Sequence, residues 1–210
     1  MENKLVQRTC ADFAQVLSAK EPVPGGGGAA AYVGALAVAL CSMVGIFTTG
    51  KKTYATVEED VQRMLAQAED VRLCLLELVD KDAEAFAPLS KAYAIPRDDP
   101  HRADVLEEAT KQACDAPLEI MRQVANAIEL LEEMGQKGSR MLQSDVGCGA
   151  LLAIAALKAA AINVFVNTST LADREFARTT ELEVDALLDA YVPRAQACAD
   201  HVVATIRKRG

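Results

Sequence analysis

The sequence predicts an all-α fold, a multi-helix bundle built around two Ala-rich central helices. Three observations carry this. Hydrophobic residues make up 51% of the chain, yet aromatics are only 4% and Trp is absent. The core must therefore be aliphatic and Ala-rich, which suits closely packed helices better than a β-sandwich. No segment alternates with period two, and no Asn-Gly or Asp-Gly hairpin signal occurs. Two long stretches are almost free of charge, while the rest of the chain shows helical periodicity. At 210 residues the chain suits one domain, taken here as 1–210, with length to bury a sizeable core. Charged residues at 25% argue against disorder.

The elements follow in order. Thr9 with Asp12 opens a short helix running to about Lys20. The stretch from Pro22 to Gly50 carries no charge over 29 residues. Its length would suit a membrane span. Its small residues (Ala31, Gly34, Ala35, Ala37, Ala39 and Gly45) instead suit a wholly buried helix of a soluble bundle. Thr56-Val57-Glu58-Glu59 has the pattern of a capping box. It starts a long helix whose stripe is Val57, Val61, Met64, Ala68, Val71, Leu75 and Leu78, a 4-3-4-3 rhythm. That helix continues through Phe86, with a kink expected at Pro88, and stops before Pro96. The next helix is expected from about Arg102 to Met134, closed by Gly135 to Gly138. The second apolar stretch, Val146 to Ala172, carries a single charge, Lys158. A last helix is expected from about Asp173 to Arg207, bent at Pro193.

Composition narrows the function. The formal net charge of −8 argues against a nucleic-acid partner or an anionic membrane surface. The six Cys form no C-x-x-C pair, and Cys41, Cys74 and Cys148 read as small core residues of a reduced, cytoplasmic protein. Only His101 and His201 are present, without a Glu-x-x-His or H-E-x-x-H pattern, so no metal site is expected. The start, Met1-Glu2-Asn3-Lys4, has no apolar leader, so no signal peptide is expected.

Certain residues break the pattern. Continuing the long stripe four residues past Leu78 reaches Asp82, an acid where an apolar residue is due. A carboxylate placed there is either hydrogen-bonded to another helix or a catalytic acid/base with a raised pKa. Asp80 and Glu84 fall off the stripe and read as solvated. Pro24-Gly25-Gly26-Gly27-Gly28 precedes the first apolar helix; it reads either as a tight turn between helices or as a backbone cradle for a ligand. Gly26, Gly28 and Ala31 satisfy G-x-G-x-x-A, but the preceding segment is helical, so the dinucleotide reading fails its context test. Lys51 and Lys52 close that helix and serve either its dipole or a substrate carboxylate. Ser144-Asp145 opens the second apolar helix, where an acid is ordinary capping chemistry. Asn163 and Asn167 lie one turn apart on it. Asp145 and Asn163 share a face but are 18 residues apart, roughly 27 Å along the axis. Both can serve one site only along a groove or across subunits.

The ordered set formed by the polyglycine turn, Ser42-Met43-Val44, Gly50-Lys51-Lys52-x-Tyr54, Asp80-x-Asp82-Ala83-x-Ala85-Phe86, Pro96, Pro117-Leu118, Ser144-Asp145 and Asn163-Val164-x-x-Asn167 resembles the cyclodeaminase/cyclohydrolase family of folate enzymes. The resemblance spans about residues 10 to 205. Gly28 stands where the family often has Ser, and Gly138-Ser139 where Gly-Asn is usual. The resemblance implies an all-helical homodimer acting on a tetrahydrofolate derivative as substrate, with no permanently bound cofactor. It implies a methenyltetrahydrofolate cyclohydrolase or a formimidoyltetrahydrofolate cyclodeaminase. The family's functional Asp maps to the Asp-x-Asp segment, and the stripe selects Asp82. The expected binding residues are Gly25, Gly26, Gly27 and Gly28 against the folate, Lys51 or Lys52 on its glutamate tail, and Asp145 or the pair Asn163 and Asn167 on the pterin edge.

Overall fold

A computed structural model describes residues 4–208, so Met1 to Asn3 of the start read above lie outside it. Among the described residues there are α-helices and short 3-10 turns and no strands. The α-helices are α1 (Cys10–Leu17), α2 (Gly26–Ile46), α3 (Glu58–Tyr93), α4 (Arg102–Ala113), α5 (Asp115–Lys137), α6 (Gln143–Thr168) and α7 (Arg174–Arg207).

The two Ala-rich helices, α2 and α6, form the centre, as their composition predicts. They run antiparallel and close together: a Cβ on Gly149 of α6 would sit 3.0 Å from the main-chain oxygen of Ala37 on α2. α3 packs antiparallel on α2, where a Cβ on Gly28 would approach the Val79 oxygen at 3.5 Å. α5 and α7 complete the bundle, tied together on the outside by Arg194 to Glu132 and Arg122 to Glu183. The predicted stripe of α3 is the buried one: Val61, Met64, Ala68, Val71, Leu75 and Leu78 all enter the main core.

Several expectations change. α2 and α6 are each long and apolar enough to cross a membrane, but only about half of each such window is buried in this chain. The outward faces expose Leu36, Ile46 and Phe47 of α2 and Leu151, Ile162 and Val166 of α6. The wholly buried helix is therefore corrected to one with an open apolar face. The capping box does not form. Residues Lys52–Val57 are already a 3-10 helix feeding α3, Val57 is the N-cap without a side-chain bond, and Glu58 accepts from the Gly50 N–H instead. α3 and α7 continue through Pro88 and Pro193 as single helices, as the sequence reading has them. The single helix expected from Arg102 to Met134 is split at Cys114. Pro117 falls in the first turn of α5 and has no N–H to give the Ala113 carbonyl four residues back, so that bond is missing at the junction. Asp80 is half-buried rather than solvated: it accepts from the Leu5 N–H at 2.6 Å, and its Oδ2 is buried with no partner. Cys148 is exposed, not a core residue, while Cys41 is buried with its thiol pushed up to about 12 by desolvation.

Candidate active site at the polyglycine end

The antiparallel packing of α2 with α3 and α6 brings one end of each to a common place. The N-terminus of α2, the C-terminal half of α3 and the C-terminal half of α6 meet there, beside the α4–α5 break. They enclose a cleft of about 180 Å³ that Gly25, Gly26, Gly27, Asp82, Asn163 and Asn167 all line. Sequence reading had named every one of these. Gly28 sits just behind them as a donor.

Asp82 is the centre of the arrangement. Its Oδ2 accepts from the Gly28 N–H at 2.8 Å. Its Oδ1 has no hydrogen-bond partner among the described residues. Burial raises the Asp82 pKa above the usual carboxylate range, opposed only by the Gly28 N–H. A desolvated carboxyl with one oxygen anchored and one open is suited to taking up and returning a proton. The stripe of α3 aims it inward, and the turn of α2 makes room for it. An added Cβ on Gly27 would overlap the carboxylate, coming within 2.6 Å of its Cγ.

Asn163 lies against the other side of the turn, where a Cβ on Gly26 would sit 3.2 Å from both its amide nitrogen and its amide oxygen. Asn163 donates to the Ala159 carbonyl on its own helix at 2.8 Å. Asn167 donates to the Ala113 carbonyl at 2.9 Å, the acceptor that Pro117 leaves free. A break in one helix thus fixes a polar side chain of another. Each amide's oxygen and second N–H have no further hydrogen-bond partner among the described residues.

The remaining expected residues stand elsewhere. Lys51 and Lys52 follow the far end of α2, whose 21 residues span roughly 30 Å. Asp145 lies in the first turn of α6, also at the far end. Within one chain neither the lysines nor Asp145 reach the cleft. The reason is topological: each belongs to the opposite end of a helix whose other end builds the site. Conversely, the cleft has walls that sequence reading did not assign as site residues. Val23, Phe86, Pro117 and Val166 supply its apolar lining. Phe86 had a signal, since it lies one helical turn beyond Asp82. Val23 and Val166 had none.

Comparison with known proteins gives a consistent picture. A family profile described as Formiminotransferase-cyclodeaminase matches residues 9–186. The chain is 40% identical over 184 residues to a methenyltetrahydrofolate cyclohydrolase from Methylorubrum extorquens, covering 86% of this chain and 88% of that protein. It is 30% identical over 191 residues to the formimidoyltransferase-cyclodeaminase of Rattus norvegicus, covering 89% of this chain but 35% of that longer protein. The crystal structure of a formiminotetrahydrofolate cyclodeaminase from Thermotoga maritima superposes with a TM-score of 0.83 at 30% identity, over 94% of this chain and 98% of that one.

Proposed function

The chain belongs to the formiminotransferase-cyclodeaminase family, and from that premise we propose that it hydrolyses 5,10-methenyltetrahydrofolate to 10-formyltetrahydrofolate. The observation that carries the chemistry is the open oxygen of a desolvated Asp82 in a cleft beside the polyglycine turn. The relative sharing 40% identity over nearly its whole length, a cyclohydrolase by name, favours this reaction.

The methenyl carbon bridges N5 and N10 and carries delocalised positive charge. The Asp82 carboxylate stabilises that charge across a low-dielectric gap. As water adds to the carbon, Asp82 accepts its proton. Asp82 then returns the proton to N5, the carbon–N5 bond breaks as the adduct hydroxyl loses its remaining proton to solvent, and the formyl group remains on N10. One carboxyl serves both transfers. The cleft is smaller than the roughly 300–1,000 Å³ that drug-sized ligands fill, so it suits the pterin ring and leaves the rest of the folate outside. Asn163 and Asn167 offer amide groups to the pterin edge.

A second reading is favoured by the Thermotoga maritima structure, named as a cyclodeaminase. There N10 attacks the formimidoyl carbon on N5 and its proton passes to the imine nitrogen; Asp82 protonates the resulting amine, which leaves as ammonia. The purified protein distinguishes the two. Loss of methenyl absorbance in water supports the hydrolysis, and ammonia release from formimidoyltetrahydrofolate supports the second reaction. Absence of both overturns the assignment.

The working form is proposed to be a homodimer paired through the open faces of α2 and α6. Two arguments support it. The faces expose Leu36, Phe47, Leu151, Ile162 and Val166, with Lys158 as the charge between the helix ends. An antiparallel two-fold pairing of these helices would bring Lys51, Lys52 and Asp145 of one subunit beside the cleft of the other. There the lysines can meet the glutamate tail that the cleft cannot hold. The cytoplasm is the proposed compartment, where the six unpaired cysteines stay reduced.

A further inference from the structure

Asp82 stands at a seam between two hydrophobic bodies. The α3 side chains before it, from Val61 to Val79, enter the main core. Those after it enter a second, smaller cluster, in which Leu89 and Ala92 of α3 gather with Ala109 and Ala113 of α4, and Phe86, Ile95 and Leu106 pack against them. The end of α3 and the whole of α4 therefore form a helical hairpin with a core of its own. The hairpin is also tied from within, since Arg102 Nε donates to the Ile95 carbonyl at 3.0 Å. The cleft follows the seam: Phe86 and Ala113 of the hairpin and Gly26 and Asn163 of the bundle line the same space.

Both chain connections between hairpin and bundle lack a helical hydrogen bond. Pro88 lies inside α3 and has no N–H for the Glu84 carbonyl, so one bond is missing just past the seam. Pro117 leaves the same gap after α4. Polar ties hold the hairpin to the rest. On α4, Glu107 accepts the N–H groups of Ala172 and Asp173, both at 2.8 Å, and Lys111 pairs with the Asp173 carboxylate at 2.6 Å. Glu107 and Lys111 are one turn apart, so together they clasp the start of α7. Asn167 adds its bond to the Ala113 carbonyl. Ion pairs open to solvent contribute little. A small cluster joined to a larger core by such ties opens more readily than the core itself.

We propose that the hairpin formed by the end of α3 and α4 is a lid on the cleft, flexing at Pro88 and at the α4–α5 junction, with Glu107 and Lys111 as its clasp on α7. A ligand in the cleft touches both bodies only when the lid is shut, so binding draws the equilibrium toward the shut state. The ligand's part in this rests on the cleft being the folate site; the opening of the hairpin does not.

Hydrogen exchange of the full chain, read by mass spectrometry, tests the lid. Without ligand, the amides of residues 86–113 should exchange as a unit, about 10-fold or more faster than those of 61–79. The double variant Glu107→Gln/Lys111→Met keeps the shapes of both side chains and weakens the clasp. It should speed exchange of 86–113 by about 2–5-fold, the worth of an exposed ion pair, with 61–79 unchanged. Pro88→Ala, at an exposed position, restores the missing N–H and should slow exchange of 86–113. Saturating 5-formyltetrahydrofolate should protect 86–113 as well. The lid is overturned if 86–113 and 61–79 exchange at one rate, if neither variant changes the hairpin selectively, or if bound 5-formyltetrahydrofolate leaves its exchange unchanged. Failure of 5-formyltetrahydrofolate to bind in calorimetry overturns the folate reading instead, and the ligand-free comparison then decides the lid.

Discussion

The carboxylate of Asp82 occupies the space that a side chain on residue 27 would need. Gly27 and Asp82 belong to different helices, so the relationship links the first residues of α2 to the inward face of α3. The polyglycine turn is thereby explained one position at a time: Gly27 admits Asp82, Gly26 admits Asn163, and Gly28 supplies an N–H.

Asp82→Asn should lower kcat by about 10²–10⁴-fold, the usual contribution of a general acid/base. The amide oxygen can still accept from the Gly28 N–H, so folding should persist. The pH dependence has a definite sign. Burial raises the folded-state pKa of Asp82, so stability associated with its protonated form is present at low pH and lost as pH rises through that raised value. The variant should match or exceed the wild-type melting temperature at pH 7, with the difference shrinking toward 3.8, the unperturbed value. A variant that retains wild-type turnover would falsify the assignment of Asp82.

The wild-type activity profile should show the same group. The carboxylate must be ionised to accept a proton from water, so kcat should fall on the acid side with a midpoint above the ordinary aspartate range. A pH–rate profile measures this, and a flat response down to pH 4 would contradict it.

Gly27→Ala and Gly28→Ser should separate sharply. The alanine must push the Asp82 carboxyl aside, at a cost of about 1–3 kcal/mol typical of overpacking, and kcat should drop about 100-fold. A Cβ on residue 28 meets its nearest neighbours at 3.5 Å and beyond, so the serine should be accommodated with stability changed by less than about 0.5 kcal/mol. Thermal melts and steady-state kinetics of the two proteins are sufficient.

Pro117→Ala should restore an N–H competing for the Ala113 carbonyl. Asn167 would then lose its anchor. We expect KM to rise several-fold, the scale of one hydrogen bond, with kcat less affected and α4 and α5 closer to one continuous helix. The side-chain amide resonance of Asn167 provides a direct readout.

Mixing Asp82→Asn subunits with Lys51→Ala/Lys52→Ala subunits tests the dimer. If each site draws its aspartate from one chain and its lysines from the other, hybrids contain one intact site and recover activity absent from either parent. Failure to recover, with subunit exchange verified by mass, argues for sites contained within single chains.

The helical architecture was legible because apolar periodicity is local information. The α3 stripe located Asp82 by counting, and its one buried-polar exception became the centre of the cleft. The break between α4 and α5 was missed because a continuous apolar face masked Pro117, whose effect lies in a hydrogen bond that is absent. Asp80 was misread because the group that covers it, the Leu5 N–H, is 75 residues away in sequence. The sequence already put Lys51 and Lys52 at the opposite end of a helix from the polyglycine turn, and Asp145 about five turns from Asn163. What it did not show is that α2, α3 and α6 alternate in direction, which gathers the turn, Asp82, Asn163 and Asn167 at one end.

Where α2 meets α6 and α3, main chain faces main chain: Gly149 over the Ala37 carbonyl, and Gly28 over that of Val79. The gap between these three rods is consequently set by peptide dimensions, which do not change when aliphatic residues are exchanged. Descendants of this sequence can drift through their Leu, Val and Met positions while the reacting groups keep their mutual spacing. Divergence in the periphery is thereby decoupled from the chemistry at the centre.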